Sequence, residues 1–519
     1  MKTLKSLVPV FLLFIAATVA VSCSDDETSS SSSVITTPNL EDIIASDSGH
    51  MTWHEYYSTI LAKAEEGNSA EATAMAIWAQ KQLYKADSLT QVLADSLGFN
   101  GDPNSVQNFG VGFAWHRINY KSIDEDGKDI TLSALVAYPY GSLWNPHPDN
   151  LVIGCHCTIT SDKERPTNYG DFSPSFWLGN IAYDTGMLVT LANTLGAQAL
   201  VVIPDYQGYG ATKNRIHPYL QEELTARQVI DGAVQGKLWY EKNRKSLDDG
   251  WGTVSVGYSQ GGAVAMAVHR YVEEKGLSSE LHFKGSVCGD GPYDPLATVK
   301  SYISEDKVYM PVALALMMEG MCNANSNLKG IYTPEDFLTE QFVNTHILEY
   351  IENKAMTTED IQKQLIKWKA GRDGKSFLMQ EDSNGHYYTI DQILRPEVIE
   401  YLKDGTLTEQ YKDKLIRLNR ALEDNNIIKN WKPKAPVMAV HSTRDEVVPY
   451  VNYVNAKKAF ETTGLFSGYI FTFSDSYLHV ETGTSFFIRL NYFVEKVLND
   501  ETPCKEQEIG DFINYVNRS

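Results

Sequence analysis

The sequence predicts an α/β fold in which helices cover a mostly parallel central sheet. Short, fully apolar runs alternate with segments of helical periodicity. A strand that is apolar at every position is buried on both faces, as in a parallel sheet between two helix layers. The chain has 519 residues, of which 43% are hydrophobic, and this is enough for a large core. The predicted core strands are residues 151–155, 199–203, 253–257, 282–289, 435–441 and 469–473.

The order of the elements predicts how the sheet is entered, interrupted and closed. Residues 111–138 contain two strands around an acidic turn with an Asp-Gly step, which suits an antiparallel hairpin. Helical periodicity over residues 295–432 predicts a large helical cap inserted between two strands, and a helix at 485–498 closes the core. We therefore divide the chain into a signal peptide (1–22), a flexible tether (23–40), an N-terminal helical region (41–104), a first core part (105–294), the cap (295–432) and a second core part (433–519).

The N-terminus has the pattern of a bacterial lipoprotein signal. Lys2 and Lys5 precede an apolar run over residues 7–21, which is too short to span a bilayer comfortably. Small residues lead into Cys23, and an acidic, serine-rich stretch follows. We expect Cys23 to carry lipid and to anchor the chain to a membrane. The alternative is an ordinary cleaved secretion signal.

This pattern places the protein in the bacterial cell envelope, as an outer-membrane lipoprotein. The acidic stretch after Cys23 resembles the stretch that accompanies surface display in some Gram-negative lipoproteins. The formal net charge of −21 argues against a nucleic-acid partner, because such proteins neutralise phosphates with a basic patch. His50 and His54 have a metal-compatible spacing, but no third ligand is near them in the sequence, and no phosphate or dinucleotide motif is present. We predict no metal and no organic cofactor.

The central functional signal is the motif Gly-Tyr-Ser-Gln-Gly at residues 257–261. An apolar strand precedes the motif, and a small-residue helix follows it. This strand–turn–helix context is what a nucleophile elbow requires, because the sharp turn holds the serine hydroxyl at the edge of the sheet. The sequence therefore predicts Ser259 as a nucleophile.

A serine nucleophile needs a base and an acid that holds the base. In α/β-hydrolases the chain order is serine, then acid, then histidine. Asp445 follows a predicted strand, and His479 is the only histidine after it. We predict Asp445 as the acid and His479 as the base. Asp290, which follows the preceding strand, is an alternative acid, and the weaker alternatives are Asp475 and Glu446.

An oxyanion hole requires two backbone N–H groups aimed at the developing negative charge. We expect one from Gln260, the residue after the nucleophile. The second should come from the loop after the strand at 151–155, where we choose Thr158, with Cys157 as its rival. The aromatic residues that we propose for the substrate pocket are Tyr206, Tyr209 and Tyr258.

Several segments together resemble the secretory lipase family of α/β-hydrolases. They are GYSQGG at 257–262, PDYQGYG at 204–210, GDGPYDP at 289–295, RDEVVP at 444–449 and His479. The likeness covers residues 105–500. It departs at the N-terminal helical region and at the His-Cys-Thr loop after the strand at 151–155. The resemblance implies ester hydrolysis and a helical cap over the acyl site.

We predict a serine hydrolase of the esterase or lipase type, acting through an acyl-enzyme intermediate on a small-molecule, lipid or glycan ester. The first alternative is a serine peptidase on the same fold. The second alternative is a non-catalytic surface binding lipoprotein.

Overall fold

The structure is a computed structural model. It describes residues 34–67, 70–96, 110–141, 146–169, 184–193, 196–367, 377, 379–471, 478–502 and 506–508. Cys23 lies outside these ranges, so its lipidation stays a prediction. The strands are β1 (Ile44–Thr52), β2 (Val111–Ile123), β3 (Asp129–Gly141), β4 (Asn150–Cys155), β5 (Ala199–Pro204), β6 (Thr253–Tyr258), β7 (Phe283–Gly289), β8 (Gln380–Asp382), β9 (Gly385–Tyr387), β10 (Val437–Ser442), β11 (Phe466–Phe471) and β12 (Gln507–Glu508).

Within the described ranges, ten strands form one sheet in the order β1-β2-β3-β5-β4-β6-β7-β10-β11-β12. The first three neighbouring pairs are antiparallel, and every pair from β5-β4 onward is parallel. The hairpin between β2 and β3 pairs Ile123 with Asp129 across the predicted acidic turn. The prediction of a mostly parallel sheet is therefore confirmed.

Helices cover both faces of this sheet. They are α1 (Trp53–Glu65), α2 (Ala70–Ser96), α3 (Asp184–Val189), α4 (Glu222–Asn243), α5 (Gln260–Glu274), α6 (Pro295–Glu305), α7 (Pro311–Ala324), α8 (Glu340–Val343), α9 (Ile347–Asn353), α10 (Thr358–Lys367), α11 (Pro396–Asp404), α12 (Lys412–Asp424), α13 (Val451–Phe460), α14 (His479–Ile488) and α15 (Leu490–Leu498). Among the helices of the described ranges, none has the length and hydropathy needed to cross a bilayer.

Successive residues of a core strand pack into different hydrophobic cores. Ile153 of β4 belongs to the core that contains α4, α5 and the helices after β7, whereas Val152 belongs to the core formed with α1, α2 and α15. Because side chains alternate across a strand, this division shows that both faces of the sheet are buried. The continuous apolar runs in the sequence have this cause.

In its described residues, the segment between β7 and β10, residues 295–432, holds seven α-helices and the short hairpin β8-β9. Its return to the sheet is fixed by Glu273, at the end of α5. The carboxylate of Glu273 accepts hydrogen bonds from the indole N–H of Trp431 (3.0 Å) and from the backbone N–H groups of Lys434 (2.7 Å) and Ala435 (2.9 Å). We call residues 295–432 the inserted segment.

Residues 44–52 form strand β1, although the sequence pattern predicts helix there. This strand pairs antiparallel with β2, for example Met51 with Phe113. Helix α1 then begins with a capping box, in which Thr52 and Glu55 satisfy each other's backbone N–H groups. Backbone pairing with β2 overrides the local helical preference of this polar stretch.

Two element boundaries near the C-terminus also differ from prediction. Strand β11 begins at Phe466, three residues before the predicted start at 469. The closing helix, predicted from 485, is two helices, of which the first begins at His479. His479 therefore occupies the first turn of a helix, which fixes its backbone more firmly than a loop would.

Candidate active site

Ser259 sits at a sharp turn between β6 and α5. Its backbone is in an unusual conformation, with φ 57° and ψ −126°, and its N–H donates to the backbone oxygen of Gly289 over 2.9 Å. A β-carbon on Gly261 would lie 2.1 Å from the backbone oxygen of Cys155, so only glycine fits there. The strain and the close approach are those of a nucleophile elbow.

The imidazole of His479 lies between the serine and a carboxylate. Its Nε2 is 3.0 Å from Ser259 Oγ, and its Nδ1 is 2.6 Å from Asp445 Oδ2. Because a carboxylate oxygen only accepts, Nδ1 carries the proton and Nε2 presents its lone pair to the serine hydroxyl. The arrangement can remove the hydroxyl proton from Ser259.

Asp445 is held by the loop that follows β10. Its Oδ1 accepts hydrogen bonds from the N–H groups of Val447 (2.9 Å) and Val448 (2.6 Å), which leaves Oδ2 for His479. Burial and the neighbouring Glu446 raise the pKa of Asp445, and the N–H groups of Val448 and Val447 oppose that rise because they stabilise the ionised form. This loop therefore fixes the position of the group behind the imidazole and supplies the donors that favour its charge.

The alternative acids occupy other positions around His479. Glu446 accepts a hydrogen bond from the backbone N–H of His479 over 2.9 Å, not from its ring. Asp290 is completely buried, and Tyr258 links it to the backbone oxygen of His479. Asp475 lies outside the described residues. Among the described candidates, only Asp445 bonds to the imidazole.

Burial lowers the pKa of His479 below its ordinary value, while the nearby Asp290, Glu446 and Glu481 raise it. The loss of water around a cationic imidazolium is the larger effect. The neutral imidazole, which is the form that accepts a proton, is therefore favoured.

Among the described residues, the two proposed oxyanion donors have N–H groups without an acceptor. In the described part of the chain, no acceptor bonds the backbone N–H of Gln260 or of Thr158. The N–H of Cys157, the rival donor, is bound to the carboxylate of Asp184 at the start of α3. Sequence reasoning did not identify Asp184, because nothing in the local sequence marks this contact with Cys157.

A small cavity of about 20 Å³ opens beside Ser259 and His479. Tyr258 is part of its wall, together with Val480 and Phe487 of α14 and with Cys157. These last three residues were not among the predicted pocket residues. The boundary predicted for the closing helix left out the first turns of α14, which supply Val480.

Tyr206 and Tyr209, which we predicted as pocket residues, are not part of this wall. The hydroxyl of Tyr206 donates to the backbone oxygen of His156 (3.2 Å), and that of Tyr209 donates to the backbone oxygen of Ile159 (2.5 Å). Both rings are buried behind the loop that contains Thr158. Their position is that of a support for this loop.

Two groups of His and carboxylate side chains in the described ranges bring donor atoms within 4.8 Å of one another. One consists of Asp290, Asp445 and His479, in which Nδ1 of the histidine is already bound to Asp445. The other is His147, Asp149 and Asp248, which precede β4 and β6 at the opposite end of the strands and are partly exposed. Neither group gives the site beside Ser259 an open set of metal ligands.

No protein-family model matches the chain, and no curated protein matches it in sequence. Solved structures do match. The ligand-bound rice cell wall degrading esterase LipA from Xanthomonas oryzae is 18% identical, with a TM-score of 0.56 over 88% of this chain and 98% of that chain. A putative hydrolase from Legionella pneumophila is 20% identical, with a TM-score of 0.56 over 75% and 90%. Candida antarctica lipase A is 15% identical, with a TM-score of 0.53 over 77% and 82%.

At these identities the likeness defines the fold. The chain has the α/β-hydrolase fold seen in these esterase and lipase structures, and the predicted fold class is confirmed.

Proposed function

We propose that the protein is a serine hydrolase that cleaves carboxylic ester bonds. The observation that carries the proposal is the hydrogen-bonded chain from Ser259 Oγ through the imidazole of His479 to Asp445. A serine hydroxyl is a weak nucleophile unless a positioned base takes its proton. The strained backbone of Ser259 supports the same conclusion, because such strain persists where a turn presents a reacting group.

The first half of the reaction forms an acyl-enzyme. His479 Nε2 takes the proton as Ser259 Oγ attacks the ester carbonyl carbon. The oxyanion of the tetrahedral intermediate accepts hydrogen bonds from the N–H groups of Gln260 and Thr158. The imidazolium, stabilised by Asp445, then gives its proton to the leaving alcohol as the carbon–oxygen bond breaks.

In the second half, water replaces the alcohol. His479 takes a proton from the water as its oxygen attacks the acyl carbon. The intermediate collapses, the proton goes to Ser259 Oγ, and the carboxylic acid leaves. Each proton returns to the group that gave it, so the residues of the site need no cofactor for this cycle.

We take the proposed substrate class from the names of the proteins with similar structures. Two of them are named an esterase and a lipase, and one of these names includes rice cell wall degradation. The wall of the small cavity beside Ser259 is formed largely by the apolar side chains of Tyr258, Val480 and Phe487, which favour contact with the apolar part of an ester. We propose a small-molecule, lipid or glycan ester as the substrate.

A hydrolysis assay on p-nitrophenyl esters of graded chain length tests the proposal. We expect Ser259→Ala to lose activity by a factor on the order of 10⁴ or more, because the nucleophile is removed. Full activity of this variant would exclude the assignment. Greater activity on aminoacyl amides than on esters would favour a peptidase instead.

The chain contains a matched control for this variant. Ser286 Oγ is 2.9 Å from His269 Nδ1, and His269 Nε2 is 2.9 Å from Glu273 Oε1, so these residues form a second Ser–His–acid chain. Ser286 is completely buried in the regular strand β7 and has no elbow. We expect Ser286→Ala to keep esterase activity. A fluorophosphonate probe should label the wild type and Ser286→Ala, but not Ser259→Ala, whereas a purely binding lipoprotein would not be labelled.

The protein acts from a membrane, in this proposal, through lipid on Cys23. The support is the signal pattern in the sequence. A labelled fatty acid should be incorporated into the wild type and into Cys322→Ser, a control at a free, buried thiol, but not into Cys23→Ser. Equal membrane fractionation and equal labelling of Cys23→Ser would contradict the anchor.

A further inference from the structure

Asp290 is a second buried carboxyl group beside His479, and the mechanism above does not use it. It directly follows β7, is completely buried, and is held in the left-handed region with φ 35°. One of its oxygens, one oxygen of Asp445 and a ring nitrogen of His479 lie within 4.8 Å of one another. A carboxyl group at this place acts on His479 through its charge and its hydrogen bonds.

The hydrogen bonds of Asp290 depend on which atoms carry the protons. Tyr258 Oη is 2.5 Å from Asp290 Oδ2 and 2.6 Å from the backbone oxygen of His479. A phenol has one proton, and a backbone carbonyl can only accept. If Tyr258 donated to Asp290, its lone pair would face the carbonyl of His479 at 2.6 Å. Each contact has a proton of its own when Asp290 Oδ2 is protonated and donates to Tyr258 Oη; otherwise the two acceptors share the single phenol proton.

The other oxygen of Asp290 is consistent with this arrangement. Oδ1 accepts a hydrogen bond from the backbone N–H of Ser442 over 3.1 Å. His441 Nε2 is 3.1 Å from the backbone oxygen of Val448, so Nε2 carries the ring proton. Burial lowers the pKa of His441, which favours its neutral ring, so His441 Nδ1, 3.2 Å from Asp290 Oδ1, supplies no positive charge there.

We propose that Asp290 is a positioning residue that acts in its protonated form: it donates to Tyr258, and Tyr258 donates to the backbone oxygen of His479. This chain of two hydrogen bonds holds the first residue of α14, which carries the imidazole. The inference rests on the proposed function, since it assigns a role in the same serine hydrolase reaction.

Electrostatics favour the same proton distribution. Two buried carboxylates this close cannot both ionise cheaply, so one keeps a proton. Burial raises the pKa of both carboxyl groups, and at Asp445 the N–H groups of Val448 and Val447 oppose this rise. Asp445 has three donors and Asp290 has one backbone donor, so Asp445 is the better anion of the two. Burial and the charge of Asp445 together raise the pKa of Asp290 to about 7. The titratable groups around Asp290 are Tyr258 on β6, Tyr293 after β7, His441 on β10, Asp445 and Glu446 in the next loop, and His479 and Glu481 on α14.

Ionisation of Asp290 would change the site in two ways. The Tyr258 proton would turn to the new carboxylate, and the backbone oxygen of His479 would lose its donor. The additional negative charge would also raise the pKa of His479, so that less of the imidazole is neutral. Both effects lower activity as the pH rises through the pKa of Asp290.

Three variants test whether Asp290 acts as a hydrogen-bond donor or through a negative charge. Asp290→Ala and Tyr258→Phe each break the chain, and we expect each to lower kcat about 10- to 100-fold with little change in KM, the scale of a misplaced catalytic group. The double variant should be no worse than either single one. Asp290→Asn should recover most of this loss, because its amide N–H can donate to Tyr258 while its oxygen accepts from Ser442. If Asp290→Asn is as impaired as Asp290→Ala, Asp290 acts as an anion and the proposal is wrong.

The matched control is Tyr293→Phe. Tyr293 is also completely buried, and its hydroxyl bonds to the backbone oxygen of Cys288 over 3.2 Å, outside the chain to His479. The Tyr293→Phe variant should lose stability as Tyr258→Phe does, and it should keep the kcat of the wild type. An equal loss of kcat in both variants would mean that Tyr258 acts only through packing.

Two pH measurements complete the test. The fall in kcat/KM of the wild type as the pH rises through the pKa of Asp290 should be absent in Asp290→Asn. An infrared difference spectrum of wild type minus Asp290→Asn should show the carbonyl band of a buried carboxylic acid below that pKa and its loss above. The infrared measurement needs no turnover, so it can succeed if the protein is not an esterase. The absence of the band, with Ser259-dependent hydrolysis intact, would overturn this inference and leave the proposed function standing.

Discussion

The hydroxyl of Tyr302, on α6 of the inserted segment, donates a 2.5 Å hydrogen bond to the backbone oxygen of Val447, two residues after Asp445. The N–H of the same Val447 donates to the Asp445 carboxylate. One residue, Val447, thus connects the inserted segment to the acid of the proposed active site. The inserted segment therefore contributes to holding the acid, in addition to any role over the substrate.

Tyr302→Phe tests this connection. Loss of one buried hydrogen bond should cost about 1 kcal/mol of stability. We expect a fall in kcat of several fold, since the loop that holds Asp445 loses an anchor. Thermal denaturation and ester hydrolysis measure the two effects. Tyr271→Phe is the control, because Tyr271 donates to the backbone oxygen of Val34 over 2.6 Å at a distance from the site; equal kcat losses in both variants would contradict the prediction.

The pH dependence of kcat/KM tests the state of His479. The base must be neutral, and burial lowers its pKa from the ordinary value of 6.5, so activity should already be present below that pH. The acidic limb of the profile should have its midpoint under 6.5. A midpoint above 6.5 would mean that the surrounding carboxylates outweigh burial.

Asp445→Asn should lower kcat by a factor on the order of 10⁴, because the imidazole loses the partner that sets its tautomer and stabilises its cation. The acidic limb should move further down in pH, since an imidazolium without its carboxylate is less stable. Asp413→Asn, which removes an exposed carboxylate paired with Arg417, should change neither quantity. A similar kcat for the two variants would exclude Asp445 as the acid.

Gly261→Ala tests the packing of the elbow. Its new β-carbon would lie 2.1 Å from the backbone oxygen of Cys155, and backbone cannot yield as a flexible side chain can. Overpacking of this kind should destabilise the fold by about 1–3 kcal/mol and displace Ser259. Gly250→Ala adds the same methyl group where nothing lies within 4 Å, and it should be neutral. The melting temperatures of the two variants test this prediction, and equal values would contradict the close approach of Gly261 to Cys155.

Glu222 predicts a pH dependence of stability. It is buried at the start of α4, neither carboxyl oxygen has a hydrogen-bond partner among the described residues, and burial raises its pKa from 4.5 to about 8. The folded state thus holds a proton that the unfolded state releases at lower pH, so stability falls as the pH rises from 4.5 to about 8.

Glu222→Gln removes this proton requirement. Its melting temperature relative to wild type should rise between pH 4.5 and about 8, the window in which only the unfolded wild type ionises readily. Glu223→Gln is the neighbouring control, since that side chain is exposed and paired with Lys275. A constant difference across this range would show that Glu222 is not buried as described.

The sequence predicted the elements whose signals are local. Strands β4, β5, β6 and β7 were found within a residue of their boundaries, because burial on both faces makes them apolar throughout. Strand β1 was missed because its side chains are mostly exposed and polar, and only pairing with β2 makes it a strand. The Thr-x-x-Glu capping box at 52–55 is the local signal that could have placed the start of α1.

The site residues also divide into those that the sequence predicted and those that it did not. Chain order and strand ends predicted that Ser259, Asp445 and His479 would meet, and the structure brings their side chains together. The contact between Cys157 and Asp184 was not predictable, because those residues are 27 positions apart and Asp184 has no motif of its own. The link from Asp290 through Tyr258 to His479 spans 32 and then 221 positions, and it depends on the packing of three elements.

The anchoring of Trp431, Lys434 and Ala435 on Glu273 has a consequence for how this scaffold can vary. The hydrogen bonds to Glu273 hold residues 431–435 just before β10 begins. They therefore help to set the register of β10 independently of the residues that precede Trp431. Helices of the inserted segment after α6, the helix that carries Tyr302, can be lengthened, shortened or exchanged while the carboxylate of Asp445 keeps its place. The substrate preference can therefore change while the reacting residues keep their positions.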